Sequence, residues 1–261
     1  MGQRHLKILA LVTLLLAAAA VNGQERTIQV GPTPRAQGSS LYANSWALVI
    51  GVNEYQKVSP RLNYAVPDAK AVAAALPALG FPQKNTRLLL DRDATKARIE
   101  NVLFREFAAM GADDRLFVFF AGHGETAPIK GGEEGYLLPV DADPQALSIT
   151  AIAMDDVKRI GQRVKAKHVF FAVDACFSGF ALTRDVVPQR TTDEYLATVL
   201  REPVVQVLTA GRKGERAIEE GGHGLFTRRL LDAFRGLADV EGRGILTAAQ
   251  LFHVGGASGD P

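Results

Sequence analysis

Two stretches of this chain are apolar at nearly every position: Asp114–Ala121 (DRLFVFFA) and Lys167–Val173 (KHVFFAV). A strand with one wet face alternates apolar and polar residues, whereas a strand covered on both faces does not. Both runs therefore belong inside a sheet that is covered on each side. Trp46–Val52 (WALVIGV), Thr86–Leu90 and Pro203–Thr209 (PVVQVLT) read as further strands. Helical spacing fills the intervals at Asp68–Leu79, Thr95–Met110, Ala153–Val164 and Phe226–Leu237. This alternation predicts an α/β fold, a mostly parallel central sheet with helices on both faces.

The ends of the chain read differently. Arg4 and Lys7 precede an apolar run from Ile8 to Ala20, broken only by Thr13 and followed by small residues. That run suits a signal peptide over residues 1–23 and is short for a membrane span, which needs about 20 residues. Residues 24–44 are polar and turn-rich, a flexible lead-in, and residues 253–261 form a Gly-rich tail. The chain carries 30 Lys+Arg against 28 Asp+Glu, and two of those basic residues lie within 1–23. The expected exported form is therefore neutral, which points to no nucleic-acid partner and, after signal removal, no membrane partner. A single cysteine, Cys176, excludes an intramolecular disulfide. A lone thiol in an exported protein is either a small buried apolar group or a reactive one.

In open α/β sheets, ligands bind in a crevice at the carboxyl ends of the strands. The run 114–121 exits into Ala121-Gly122-His123-Gly124, and the run 167–173 into Asp174-Ala175-Cys176-Phe177-Ser178-Gly179. If the two strands are neighbours, about 4.8 Å apart, His123 and Cys176 stand over one crevice edge. A thiol with an ordinary pKa near ~8.5 needs a base to become a nucleophile, and an adjacent imidazole supplies one. Glycines on both sides of His123 let a substrate backbone approach, leaving the Gly124 and Cys176 amides to face an oxyanion. The plain alternative makes His123 a loop histidine between turn-forming glycines.

Phe119-Phe120-Ala121-Gly122-His123-Gly124 and Asp174-Ala175-Cys176-Phe177-Ser178-Gly179 together resemble the two catalytic motifs of bacterial caspase-like cysteine peptidases. The His-to-Cys order and the separation of 53 residues fit that family. The likeness continues in WALVIGVNEY (46–55), NYAVPDA (63–69), YLLPVD (136–141) and GLFT (224–227), so it covers about 45–252. It implies a caspase-like three-layer fold with His123 and Cys176 as the catalytic pair. Asp174 stands where true caspases carry Gln, and two residues separate Cys176 from Gly179, as in metacaspases and paracaspases.

In those relatives, the positions of Asp174 and Asp68 line the primary specificity pocket. Two carboxylates there imply protein or peptide substrates cut after Arg or Lys. For Asp68 a helix N-cap is the competing role, and for Asp174 a structural acceptor. The metacaspase calcium cluster maps onto Asp141, Asp155 and Asp156, with Thr183 or Asp185 as a fourth position. Calcium prefers 6–8 oxygen ligands, so the expectation is no obligatory cofactor. His168 reads as structural, and His223 as a candidate border of the substrate groove. The segment Phe180–Glu202 carries Arg184, Arg190 and Arg201 and reads as an exposed loop open to self-processing. Two rival functions keep the fold: a silent binding scaffold, or a different Cys hydrolase such as an amidase. The oligomeric state is not legible.

Overall fold

A computed structural model describes residues 41–175, 201–210, 219–220 and 223–237 of the 261-residue chain. Within these, β1 (Ser45–Gly51), β2 (Thr86–Leu90), β3 (Arg115–Ala121), β7 (His168–Asp174) and β8 (Val204–Thr209) form one sheet. Its order is β2-β1-β3-β7-β8, and every pairing is parallel. The most apolar run, β3, takes the central place and is buried from Leu116 to Ala121. Its neighbour β7 is the second continuous apolar run, so the two sequence signals that demanded double coverage sit side by side.

Residue parity divides the core into two layers. On one face Leu48, Ile50, Val118, Phe120 and Phe171 pack with Ile99 of α2 (Lys96–Asn101). The turn that continues α2 adds Val102 and Leu103 there, and α4 (Met154–Arg163) adds Val157 and Ile160. On the other face Ala47, Val49, Phe117, Phe119 and Ala172 meet Ala65, Ala69 and Val72 of α1 (Ala65–Ala75). Leu230 and Leu231 of α5 (Leu225–Asp232) complete that layer. The expected three-layer arrangement is present. Among the described residues, no helix is long and apolar enough to cross a membrane.

Several boundaries differ from the sequence expectation. The first helix starts at Ala65 rather than Asp68, with Pro67 in its first turn, where a missing N–H costs little. The expected single helix 95–110 is capped by the Thr95 hydroxyl, which accepts from the Arg98 amide at 3.2 Å. It then widens into a π-type turn, Val102–Glu106, closed by Phe107 N donating to Val102 O at 2.9 Å. Phe107 and Met110 both end up buried. A small antiparallel sheet was not anticipated: β4 (Gly124–Ile129), β5 (Gly132–Leu137) and, beyond the short helix α3 (Leu147–Thr150), β6 (Ile152–Ala153). Its first strand is polar and half exposed and contains Pro128, so it lacks the apolar pattern that reveals a strand. Finally, β9 (Glu219–Glu220) pairs antiparallel with β10 (His223–Gly224), which leads directly into α5.

Candidate active site

Register aligns three strand ends. Gly51 of β1 stands opposite Ala121 of β3, and Ala121 opposite Asp174 of β7. The exits stay bonded one residue further: Val52 N donates to Ala121 O at 3.0 Å, and Gly122 N to Asp174 O at 3.2 Å. Three connecting segments therefore leave the sheet along one edge. They are the loop 52–64 after β1, Gly122-His123 after β3, and Ala175 after β7.

The loop after β1 is itself built firmly. Asp91 Oδ1 accepts the amides of Asn53 and Glu54 at 2.8 and 2.9 Å. Asn53 carries Leu62 N on its carbonyl at 3.1 Å and Val66 N on its side chain at 3.1 Å. Gln56 N donates to Val140 O at 3.0 Å. This loop meets His123 at two points. Tyr55 Oη accepts the His123 amide at 2.7 Å, and its ring lies 5.0 Å from the imidazole. His123 Nε2 stands 2.7 Å from Pro60 O. A carbonyl oxygen only accepts, so Nε2 carries the proton, and in a neutral ring Nδ1 keeps the basic lone pair. Gly122 has no alternative, because a Cβ there would lie 2.5 Å from Tyr55 Oη. Gly124 opens β4 opposite Leu137, immediately after His123.

A second group of side chains converges beside this edge. Asp68 is buried, and its Oδ1 stands 2.5 Å from His223 Nδ1 while Oδ2 accepts Gly224 N at 3.1 Å. Asp174 Oδ2 accepts both the hydroxyl of Thr227 at 2.5 Å and its amide at 3.3 Å. Both carboxylates close on Gly224: a Cβ there would lie 2.7 Å from Asp174 Oδ2 and 3.2 Å from Asp68 Oδ2. Burial pushes the Asp174 carboxyl up to about 6. The Thr227 hydroxyl opposes that rise, and the charge of Asp68 adds to it. Burial raises Asp68 as well, against the hydrogen bonds from His223 and Gly224.

The helix N-cap role for Asp68 is thereby corrected. Its own amide already donates to Tyr64 O at 2.8 Å inside α1, and its carboxylate points to β10 instead. The Asp68 and Asp174 carboxylates come together, with His223 added to them. Cys176, the second member of the expected catalytic pair and of the oxyanion hole, lies outside the described residues, as do the loop arginines Arg184 and Arg190. Arg201 and Glu202 fall within them. His168 sits at the opposite end of β7, its Nδ1 2.6 Å from Tyr42 Oη and its Nε2 donating to Glu202 O at 3.0 Å. Three contributors were missed: Tyr55, the Pro60 carbonyl and Thr227. Two of these lie within the segments GVNEY and GLFT, where the signal was present but carried no role.

Among the described residues, no three His, Cys, Asp or Glu side chains form a cation site. Asp141 is committed to the Lys96 amide at 3.0 Å and Asp156 to Arg159 at 3.3 Å. The fourth position of the expected cluster, Thr183 or Asp185, lies outside the described residues.

A parallel sheet covered on both faces thus carries an imidazole at one strand exit and a carboxylate at the end of the next strand. The sequence profile of the caspase domain family matches residues 44–251, and the chain belongs to that family of cysteine peptidases. A protein of a Desulfuromonadales bacterium, described as a probable protease, is 27% identical over 226 residues. The match covers 76% of this chain and 26% of that protein, so the chain spans about a quarter of the relative's length. A crystal structure of a protein from Geobacter sulfurreducens is similar with a TM-score of 0.55 at 19% identity. It matches over 74% of this chain and 83% of that one, a likeness of fold alone.

Proposed function

We propose that this chain is an exported, metacaspase-like cysteine endopeptidase that uses Cys176 with His123 and cleaves proteins or peptides after Arg or Lys. The observation that carries this reading is the β3–β7 register. Ala121 faces Asp174 across adjacent parallel strands, and His123 and Cys176 each follow by two residues in sequence. In the proposed reaction, the Cys176 thiol passes its proton to His123 Nδ1. The thiolate attacks the scissile carbonyl carbon, and the oxyanion is met by the Gly124 and Cys176 amides. The same imidazolium protonates the departing amine as the C–N bond breaks. Water then attacks the thioester, giving a proton to His123; the C–S bond breaks to release the carboxylic acid, and the imidazolium returns that proton to the Cys176 thiolate.

Specificity rests on the second cluster. In Asp68 both oxygens are engaged by β10, whereas one Asp174 oxygen, Oδ1, has no hydrogen-bond partner among the described residues. Asp174 is accordingly the carboxylate offered to a substrate guanidinium or ammonium, and Asp68 holds His223 and Gly224 in place beside it. Export rests on the apolar run 8–20 of the sequence.

The test uses fluorogenic peptides ending in Arg, Lys or Asp, with Cys176→Ala and His123→Ala as controls. Arg or Lys turnover that both substitutions abolish supports the reading. Preference for Asp, or turnover surviving in Cys176→Ala, overturns it. EGTA and added calcium in the same assay test the absence of a cofactor.

A further inference from the structure

We propose that Tyr55 is a positioning residue for His123, a role that rests on the peptidase reading above. One loop grips the histidine from two sides. The Tyr55 phenol accepts its main-chain amide at 2.7 Å, and the Pro60 carbonyl accepts its ring Nε2 at 2.7 Å. The amide contact fixes where the Cα–Cβ bond emerges from the strand end. The carbonyl contact then fixes rotation of the ring about that bond and keeps the basic lone pair on Nδ1.

Tyr55 is suited to this task by its own surroundings. Its ring packs against both the main core layer and the small cluster around Tyr136 and Leu138. It also lies 5.0 Å from the imidazole in a tilted arrangement at 46°, within the contact range of ring pairs. Burial holds the phenol well above its ordinary pKa, so it stays a neutral hydroxyl across the working range of a cysteine peptidase. The absence of a side chain at residue 122 is part of the same device, since a Cβ would lie 2.5 Å from Tyr55 Oη. The residue after strand β3 is thus a glycine because the phenol, with the Phe120 ring at 3.1 Å, occupies the space where residue 122 would otherwise carry a side chain.

Removing the hydroxyl leaves the His123 amide without its acceptor while keeping the aromatic packing. The imidazole then samples ring positions that the Pro60 carbonyl alone does not hold. A misplacement of about 1 Å in a catalytic group lowers turnover by up to about 100-fold. A role confined to folding would change the amount of folded enzyme and leave the ring state and kcat per folded molecule unchanged.

The experiment is Tyr55→Phe in the full chain, read in two ways. The first is the tautomer and pH titration of His123 by NMR of 15N-histidine-labelled protein, on a Cys176→Ala background and assigned by loss of its signals in His123→Gln. The second is kcat against KM with the active cysteine present. The expected result is a His123 ring that loses its single Nε2–H form, with kcat reduced about 10- to 100-fold and KM within twofold. Gly122→Ala provides an independent check. It should impair the enzyme less in the Tyr55→Phe background than in the wild type, because its Cβ no longer meets the hydroxyl. Superimposable His123 ring signals in the two proteins overturn the proposal, and so does an unchanged kcat in an active enzyme. If the wild type cleaves no peptide, the ring signals alone decide the role of Tyr55, and the peptidase reading is what fails.

Discussion

Replacing Asp174 by Asn removes a charge from the crevice with little change of shape. Thr227 donates both its hydroxyl and its amide to Asp174 Oδ2, and an amide oxygen can take the same two bonds. What changes is titration. The wild-type carboxyl is raised from 3.8 to about 6, mainly by burial, so the folded state holds the proton more tightly than the unfolded one. The stability this group contributes is therefore full below about pH 4 and is lost as pH rises through about 6. A shift of about two units corresponds to about 3 kcal/mol, of which roughly half develops between pH 5 and pH 7.5. Asn does not titrate, so Asp174→Asn should gain about 1.5 kcal/mol on the wild type over that interval. Urea unfolding at both pH values, on a Cys176→Ala background, measures this directly. The same substitution in the active enzyme should lower kcat/KM for Arg peptides about 10- to 100-fold at pH 7.5, from loss of a charge-assisted hydrogen bond. A stability difference that does not change with pH, or that moves against Asn as pH rises, refutes the burial of this carboxyl.

Gly224→Ala should preserve the fold yet abolish Arg/Lys cleavage, because its Cβ would press within 2.7 Å of Asp174 Oδ2; retained turnover would place the pocket elsewhere. Phe119→Ala, at a fully buried position in the central strand, should cost about 3–5 kcal/mol by denaturant titration. The exposed Ile149→Ala should cost under about 0.5 kcal/mol in the same titration. Self-processing predicts new termini after Arg184 or Arg190 by mass spectrometry in the active chain and not in Cys176→Ala. Identical intact masses, with the active chain cleaving peptides, would show that maturation is not required.

The central architecture was legible because burial on both faces leaves a distinctive mark. The runs 114–121 and 167–173 announced a doubly covered sheet, and the structure places them as adjacent strands β3 and β7. Helix edges were less legible. Asp68 looked like a cap because it opens an Ala-rich stretch, but the helix gains its first turn from Ala65 through the tolerated Pro67, which frees the carboxylate for His223. The hairpin β4–β5 left no apolar period, since it is polar and half exposed along the first strand. The pairing of Asp68 with Asp174 came only from family resemblance. Spacing in the sequence cannot bring residues 106 positions apart to one glycine, and Gly224 reveals the convergence only once β10 is folded against α1. Tyr55 escaped notice for a related reason: a tyrosine after a strand looks like ordinary packing until its hydroxyl is seen to hold the amide of His123.

The most direct measurement is active-site labelling with a peptidyl-Arg electrophile, followed by mass spectrometry of the labelled peptide. Cys176 is the only thiol in the chain, so the label has one cysteine to find. The account predicts stoichiometric labelling of Cys176, strong slowing in His123→Ala although the thiol remains, and little reaction with the matching peptidyl-Asp reagent. Labelling at an equal rate in His123→Ala, or equal reaction with the Asp reagent, would contradict it.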